Sequence, residues 1–121
     1  MTHPVLLALG TEKASSLPKQ CRIGTDHRNN LVLSGRSVLP HHCVIWKGLF
    51  GMWRIRQLDG ESHSGPSGAR HVPTTKIRRQ GRIACLLPND TSRLRDGDEL
   101  LFGAPQPGAN PTFSHAFRLM R

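Results

Sequence analysis

Turn-forming residues interrupt this chain so often that long helices are disfavoured. The 121 residues include 12 glycines and 9 prolines, and polar clusters such as residues 25–30 and 59–68 add Asn, Asp and Ser. The apolar runs between these clusters are only a few residues long. Short apolar runs separated by regular turns are typical of an antiparallel β-sandwich, and we predict an all-β fold of about ten to eleven short strands.

Several segments predict individual strands and turns. Residues 52–58 alternate between two faces, with Trp53, Ile55 and Gln57 on one side. Residues 42–47 are mostly apolar and indicate a buried strand that includes Trp46. Gln80-Gly81 predicts a turn between two extended pieces, whereas residues 10–19 predict mainly loop and residues 88–92 another turn.

The charge of the chain limits the class of partner. The formal net charge is +9, from 17 basic and 8 acidic residues, and most of the basic residues are arginine. Arginine suits bidentate recognition of phosphate or carboxylate. A basic surface therefore favours a phosphorylated, acidic or nucleic-acid partner.

Length and hydropathy predict a single domain over residues 1–121, and we expect it to be a module of a larger protein. No apolar run approaches the roughly 20 residues that cross a membrane, and the N-terminus does not resemble a signal peptide. We therefore predict no membrane partner and an intracellular location, cytoplasmic or nuclear. Cys21, Cys43 and Cys85 form no CxxC pair, which favours buried, reduced thiols over a zinc site.

The residue patterns predict neither an enzyme nor a cofactor. No motif places a Ser or Cys nucleophile beside a His and an acid, so no catalytic residue is assigned. His42 and Cys43 are adjacent on a predicted strand and would point to opposite faces, which disfavours a shared metal. Asp96 and Asp98 flank a glycine in a predicted turn, and that turn needs no ion.

Motifs in a fixed order are the most specific signal in the sequence. Arg22-Ile23-Gly24 is followed by Asn30-Leu31-Val32-Leu33, then by His42-Cys43-Val44-Ile45, and much later by LRDGDELLFG at residues 94–103. Their order and spacing resemble the forkhead-associated (FHA) domain over residues 4–120. The segment 33–43 is most similar to the FHA modules of some kinesin motors and cytoskeletal scaffold proteins.

The resemblance implies an FHA-type sandwich whose loops bind a phosphothreonine peptide. Two family phosphate contacts are replaced, since Thr25 stands where the family has Arg and Leu39 where it has Ser. Neighbouring residues are then expected to contact the phosphopeptide, namely Thr25, His27, Arg28, Arg36, Ser37 and His41. Gly24, His42 and Asn89 are expected to support the site. Placing the family's Asn-Gly element at Asn89 would make residues 59–80 an insertion, and residues 72–74 are the alternative placement.

Two other functions remain open at this stage. One is a phosphate-independent scaffolding or dimerisation domain. The other is nucleic-acid binding through a basic patch at Arg70, Arg78, Arg79 and Arg82. Trp46 and Trp53 are expected in the core, where they could not stack on bases.

Overall fold

The computed structural model describes residues 4–35, 37–58, 75–103, 113 and 115–120. These residues form eleven β-strands in two sheets. This confirms the predicted all-β sandwich. The strands are β1 (Val5–Ala8), β2 (Lys13–Ser16), β3 (Gln20–Gly24), β4 (Leu31–Val32), β5 (Cys43–Lys47), β6 (Trp53–Gln57), β7 (Lys76–Arg79), β8 (Arg82–Cys85), β9 (Thr91–Arg93), β10 (Glu99–Phe102) and β11 (His115–Met120). A 3₁₀ turn, Leu49–Gly51, joins β5 to β6. None of the helices in the described part of the chain is long and apolar enough to span a membrane.

The two sheets differ in the number and order of their strands. A six-stranded sheet has the order β2-β1-β11-β10-β7-β8, and a five-stranded sheet has the order β4-β3-β5-β6-β9. The strand pairs are antiparallel except β3–β4, which is parallel. Parallel neighbours need a longer connection than a tight hairpin. The β3–β4 connection is therefore a wide loop, and it carries Thr25 and Arg28.

The inner faces of the two sheets meet in one apolar core. Ile23, Ile45 and Ile55 from the five-stranded sheet and Leu100 and Phe102 from the six-stranded sheet are all fully buried. In β6 the buried residues alternate with exposed arginines, as the period of two predicts. Burial of each large apolar side chain contributes about 1.5–3 kcal/mol, so this layer holds the sandwich together and fixes the loops at its ends.

Two strands lie where the sequence predicted loop or turn. All four residues of β2 are exposed, and β2 forms because its backbone pairs with β1 from Val5↔Ser16 to Ala8↔Lys13. The short strand β9 begins at Thr91 and pairs with β6. Neither segment carries an apolar pattern, so pairing with a preformed neighbour, rather than local sequence, determines these strands.

Two burial predictions were wrong. Trp46 is only partly buried, because Cys43 and Ile45 take the inward positions of β5 and leave Val44 and Trp46 on the outer face. Cys85 is exposed, because β8 is an edge strand whose four residues all face solvent. Cys21 and Cys43 are buried as predicted, and burial raises the pKa of the Cys21 thiol to about 11 and that of Cys43 to about 12.

Candidate ligand-binding site at the loop end of the sandwich

Strand register brings several connections to one end of the sandwich. The last residues of β3 and β6 flank the first residue of β5, and Thr91 at the start of β9 pairs with Arg56. A hydrogen bond of 2.7 Å between His115 Nε2 and the Ser34 carbonyl joins the start of β11 to the β4–β5 loop. We call this end, with the β3–β4, β4–β5 and β8–β9 loops, the loop end. The connection 59–74 lies outside the described residues, but the residues on either side of it belong to the loop end.

Gly24 lets the first two of these loops touch. A Cβ atom at this position would lie 2.1 Å from the Pro40 carbonyl oxygen, so a larger residue would force the loops apart. The same oxygen accepts hydrogen bonds from the Asp26 backbone N–H at 3.2 Å and from Asn29 Nδ2 at 2.7 Å. The Thr25 N–H adds a bond of 3.0 Å to the Leu39 carbonyl. The two loops thus form one rigid ledge.

His42 supports this ledge from below. Its ring is fully buried, lies edge-on to Phe102 with centroids 5.5 Å apart, and accepts the Leu39 N–H on Nδ1 at 3.0 Å. Because Nδ1 is an acceptor, the ring proton is on Nε2, which has no hydrogen-bond partner among the described residues. Burial, with a smaller contribution from Lys76, lowers the pKa of His42 to about 4.

The depressed pKa makes stability depend on pH. Between about pH 6.5 and pH 4 the unfolded chain binds a proton at His42 that the folded chain does not bind, so stability decreases as the pH falls. We expect His42 alone to lower the free energy of unfolding by about 2–3 kcal/mol at pH 4 relative to pH 7. Urea unfolding across this range measures the loss. A His42→Asn variant retains an acceptor near Nδ1 and should lose less, and an equal loss in both proteins would contradict the assignment.

Asp26 is the centre of the charged groups on the ledge. Arg28 donates to it through Nε at 3.1 Å, through Nη2 at 2.9 Å and through its backbone N–H at 2.9 Å. His41 Nε2 lies 3.7 Å and His27 Nδ1 3.9 Å from the same carboxylate. The Arg28 hydrogen bonds hold the pKa of Asp26 well below its usual range, so Asp26 stays ionised and fixes the Arg28 guanidinium.

A groove of about 620 Å³ lies beside the ledge. It is mostly apolar, and its lining includes the hydrogen-bonded pair of His115 and Ser34. Its lining residues are Thr25, Val32, Leu33, Ser34, Gly35, Val38, Pro40 and His115. An extended peptide crossing the ledge could place one side chain in this groove and another beside Arg28.

The residues expected to contact a phosphopeptide have different positions in the structure. Thr25, His27, Arg28 and His41 come together on the ledge, and half-buried Ser37 lies in the β4–β5 loop. Arg36 lies outside the described residues. The three residues expected to support the site are all at the loop end, and the Asn89 N–H donates to the Gln57 carbonyl at 2.8 Å.

Two further sequence predictions concern segments outside the ledge. Of the stretch 59–80 that the Asn89 placement would make an insertion, residues 76–79 form β7, which lies between β10 and β8 in the six-stranded sheet. Three residues of the proposed basic patch, Arg78, Arg79 and Arg82, lie around the β7–β8 turn. There Arg79 pairs with Asp98 and Arg78 pairs with Glu99, while Arg82 is exposed and Arg70 lies outside the described residues.

Sequence reasoning missed three residues that build the site. Asp26 and Asn29 were seen only as turn formers, although an Asp two residues before an Arg is a recognisable signal for local pairing. Gln57 is fully buried and bonds the His42 carbonyl at 2.8 Å and the Thr75 N–H at 2.6 Å. Only the inward position of Gln57 in an alternating strand could have indicated that it is buried and hydrogen-bonded.

Within the described residues, no cluster of three His, Cys, Asp or Glu side chains could hold a metal ion.

Comparison with known proteins identifies the fold. No family model and no curated protein sequence matches the chain. Among solved structures, the FHA domain of human APLF in complex with an XRCC1 bisphospho peptide is 16% identical, with a TM-score of 0.67 over 99% of each chain. The FHA domain of CT664 from Chlamydia trachomatis is 17% identical, with a TM-score of 0.64 over 99% of this chain and 98% of that one.

A third similar structure is a larger protein. Mycobacterium tuberculosis EmbR, solved in complex with a low affinity phosphopeptide, is 18% identical with a TM-score of 0.65. The match covers 99% of this chain but only 24% of EmbR. Identities this low establish the fold alone, and the fold is that of an FHA domain.

Proposed function

We propose that the chain is a protein-interaction module of FHA type that binds a phosphorylated peptide, with phosphothreonine as its anchor, at the loop end. The observation that supports this most directly is the fixed position of Arg28 on the ledge. Two loops joined by backbone hydrogen bonds carry it, and the Asp26 carboxylate orients its guanidinium. Binding groups held on rigid supports lose little entropy when a ligand arrives.

Arg28 has donors left for a phosphate. Asp26 occupies the edge formed by Nε and one Nη2 hydrogen, and a guanidinium carries five N–H donors. The remaining edge, formed by Nη1 and the second Nη2 hydrogen, forms no hydrogen bond or ion pair with a described residue. That edge can donate two parallel bonds to phosphate oxygens, and His41 lies beside the Asp26 carboxylate that holds Arg28.

The phosphate site would be weaker than that of a typical family member. Leu39 is 1% exposed and its side chain belongs to the core, so it cannot contact a ligand, and Thr25 offers a hydroxyl instead of a cation. Loss of two charge-assisted contacts lowers affinity by about 10²- to 10⁴-fold unless other groups replace them. In our proposal Arg28 and His41 replace the two missing phosphate contacts. Peptide binding at this degenerate site therefore still depends on the phosphate group.

The similar structures support a peptide ligand by analogy. The APLF domain and EmbR were both solved with phosphorylated peptides, and binding peptides at loops does not require catalysis. We accordingly propose an interaction module, not an enzyme, with a phosphorylated or acidic protein as its partner. The resemblance to modules of kinesins and cytoskeletal scaffolds, and a cytoplasmic or nuclear location, stay predictions.

Arg28 provides the test of this proposal. Fluorescence titration with a degenerate phosphothreonine peptide library should show binding that the unphosphorylated library lacks. An Arg28→Gln variant should reduce that affinity by about 10-fold or more, because it removes the charge and the planar donor edge. The matched control is Arg82→Gln, which removes the same charge from the exposed edge strand β8.

Two outcomes would contradict the proposal. Equal binding of both libraries would favour the alternative of a phosphate-independent scaffolding or dimerisation surface. Equal losses in Arg28→Gln and Arg82→Gln would indicate a diffuse charge effect with no site at the ledge.

A further inference from the structure

The outer face of the five-stranded sheet carries a high density of arginine. Along β3, β5 and β6 the isoleucines Ile23, Ile45 and Ile55 point into the core, so the residues next to them point outward. The strand registers align these outward residues in two rows across the sheet. One row contains Gln20, Trp46, Arg54 and Arg93, and the other contains Arg22, Val44, Arg56 and Thr91. We call the four arginines, together with Trp46, the arginine face.

The arginines on this face have no acidic partner among the described residues. Within the described residues, none of the four arginines forms a salt bridge, and no strand of the five-stranded sheet contains an acidic residue. The other sheet differs, since Arg78, Arg79 and Arg118 there pair with Asp98 or Glu99. Within the described strands, the arginines without a salt bridge are thus concentrated on the outside of the five-stranded sheet, and Arg82 on β8 is the exception.

The arrangement of these arginines is unfavourable without a ligand. Arg54 and Arg93 are direct cross-strand partners in the β6–β9 pair, and like charges directly opposite each other destabilise a sheet. Neighbouring strands are about 4.8 Å apart and residues on one face repeat about every 6.7 Å, so all four arginines fall within a small area. A polyanion that contacts several of them at once would relieve this repulsion.

Trp46 supplies a second type of contact on the same surface. It is partly buried, lies opposite Arg54 across the β5–β6 pair, and is absent from the apolar core cluster. An indole on a cationic sheet surface offers a stacking platform for a nucleobase, with the arginines positioned for the adjoining phosphates. We propose that the arginine face is a binding site for single-stranded nucleic acid, separate from the loop end.

Single-stranded nucleic acid fits this face better than other polyanions. An acidic polypeptide would satisfy the arginines, but it has no flat aromatic base to stack on Trp46. Duplex DNA is read by a helix or ribbon that projects into a groove, whereas here the cations lie on a sheet surface. Stacking and phosphate contacts without base-edge contacts predict little sequence preference.

Two arginines at the centre of the face allow a direct test. In fluorescence anisotropy with a short labelled oligothymidylate, wild-type protein should bind with a log–log salt slope of about −3, as expected for four phosphate contacts on a single strand. An Arg54→Gln/Arg93→Gln double variant should bind about 100-fold more weakly, with a slope of about −1.5. The matched control is Lys13→Gln/Arg82→Gln, which removes two charges from the six-stranded sheet.

Intrinsic fluorescence and competition provide further readouts. Binding should quench the emission of partly exposed Trp46. The change can be assigned to Trp46 because Trp53, at 3% exposure, is out of reach of a ligand. The Arg28→Gln variant should bind the oligonucleotide like wild type. Three results would overturn the proposal. They are equal affinity in the wild type and the Arg54→Gln/Arg93→Gln variant, unchanged tryptophan emission at saturation, and displacement of the oligonucleotide by polyglutamate at the same charge concentration.

Discussion

A Gln57→Leu variant is expected to lose about 2–4 kcal/mol of unfolding free energy, because it removes three hydrogen bonds and leaves the buried Thr75 N–H without an acceptor, although the His42 carbonyl keeps the Leu58 N–H at 3.0 Å. Gln57 is fully buried, and its Nε2 donates to the carbonyls of His42 at 2.8 Å and Leu58 at 3.2 Å. Its Oε1 accepts the Thr75 N–H at 2.6 Å. Leucine is similar in size but makes none of these bonds, and each unsatisfied buried group costs about 1–3 kcal/mol.

The same change should weaken ligand binding. Gln57 joins the start of β5, the end of β6 and the start of β7 where the loops converge. Urea denaturation measures the stability loss, and titration with phosphopeptides measures the loss of affinity. A Gln20→Leu variant makes the same substitution at an exposed site and should change stability by less than about 0.5 kcal/mol. Similar stabilities for the two variants would mean that the hydrogen bonds of Gln57 do not stabilise the fold.

An Arg79→Met variant should be destabilised by about 3–5 kcal/mol, because it leaves the carboxylate of Asp98 buried without its counter-ion. Asp98 is 2% exposed, and Arg79 contacts it through Nε at 2.8 Å and Nη2 at 2.6 Å. The side chain of Arg79 is 34% exposed, so solvent screens part of the interaction and we expect the lower half of this range.

Arg78 provides a matched control one residue away. Its partner Glu99 also pairs with Arg118 at 2.9 Å, so Arg78→Met leaves Glu99 with a counter-ion and should cost less than about 1 kcal/mol. An Arg79→Met/Asp98→Leu double variant should recover most of the loss, since no unpaired charge remains. Equal melting temperatures for Arg78→Met and Arg79→Met would refute a structural role for the Arg79–Asp98 pair.

The parts of the fold that were predictable from sequence are those with a local pattern. The alternation of Trp53, Ile55 and Gln57 predicted β6 and its buried face, and Gln80-Gly81 predicted the β7–β8 turn. β2 and β9 have no such pattern, because all four β2 residues are exposed and β9 has only three residues. β2 depends on backbone pairing with the nearby strand β1, and β9 depends on pairing with β6, which is distant in sequence. Such pairing leaves no periodic signal in the paired segment itself.

The charged residues were harder to predict. Three arginines within positions 78–82 suggest a nucleic-acid surface, but Asp98 and Glu99 are far away in sequence and become partners of Arg79 and Arg78 only through the β7–β10 pairing. Conversely, Arg22, Arg54 and Arg93 are scattered in sequence and are gathered on one face by strand register. Charge clusters are set by topology, so their positions follow from the fold and not from spacing along the chain.

Our central claim is that the ledge built by the β3–β4 and β4–β5 loops is the surface that binds a phosphorylated peptide. Two-dimensional NMR of ¹⁵N-labelled protein, titrated with a phosphothreonine peptide library before and after phosphatase treatment, tests it most directly. We predict phosphate-dependent shifts at the amides of Thr25, Arg28 and His41. Shifts that survive phosphatase treatment, or that appear only on the arginine face, would contradict it.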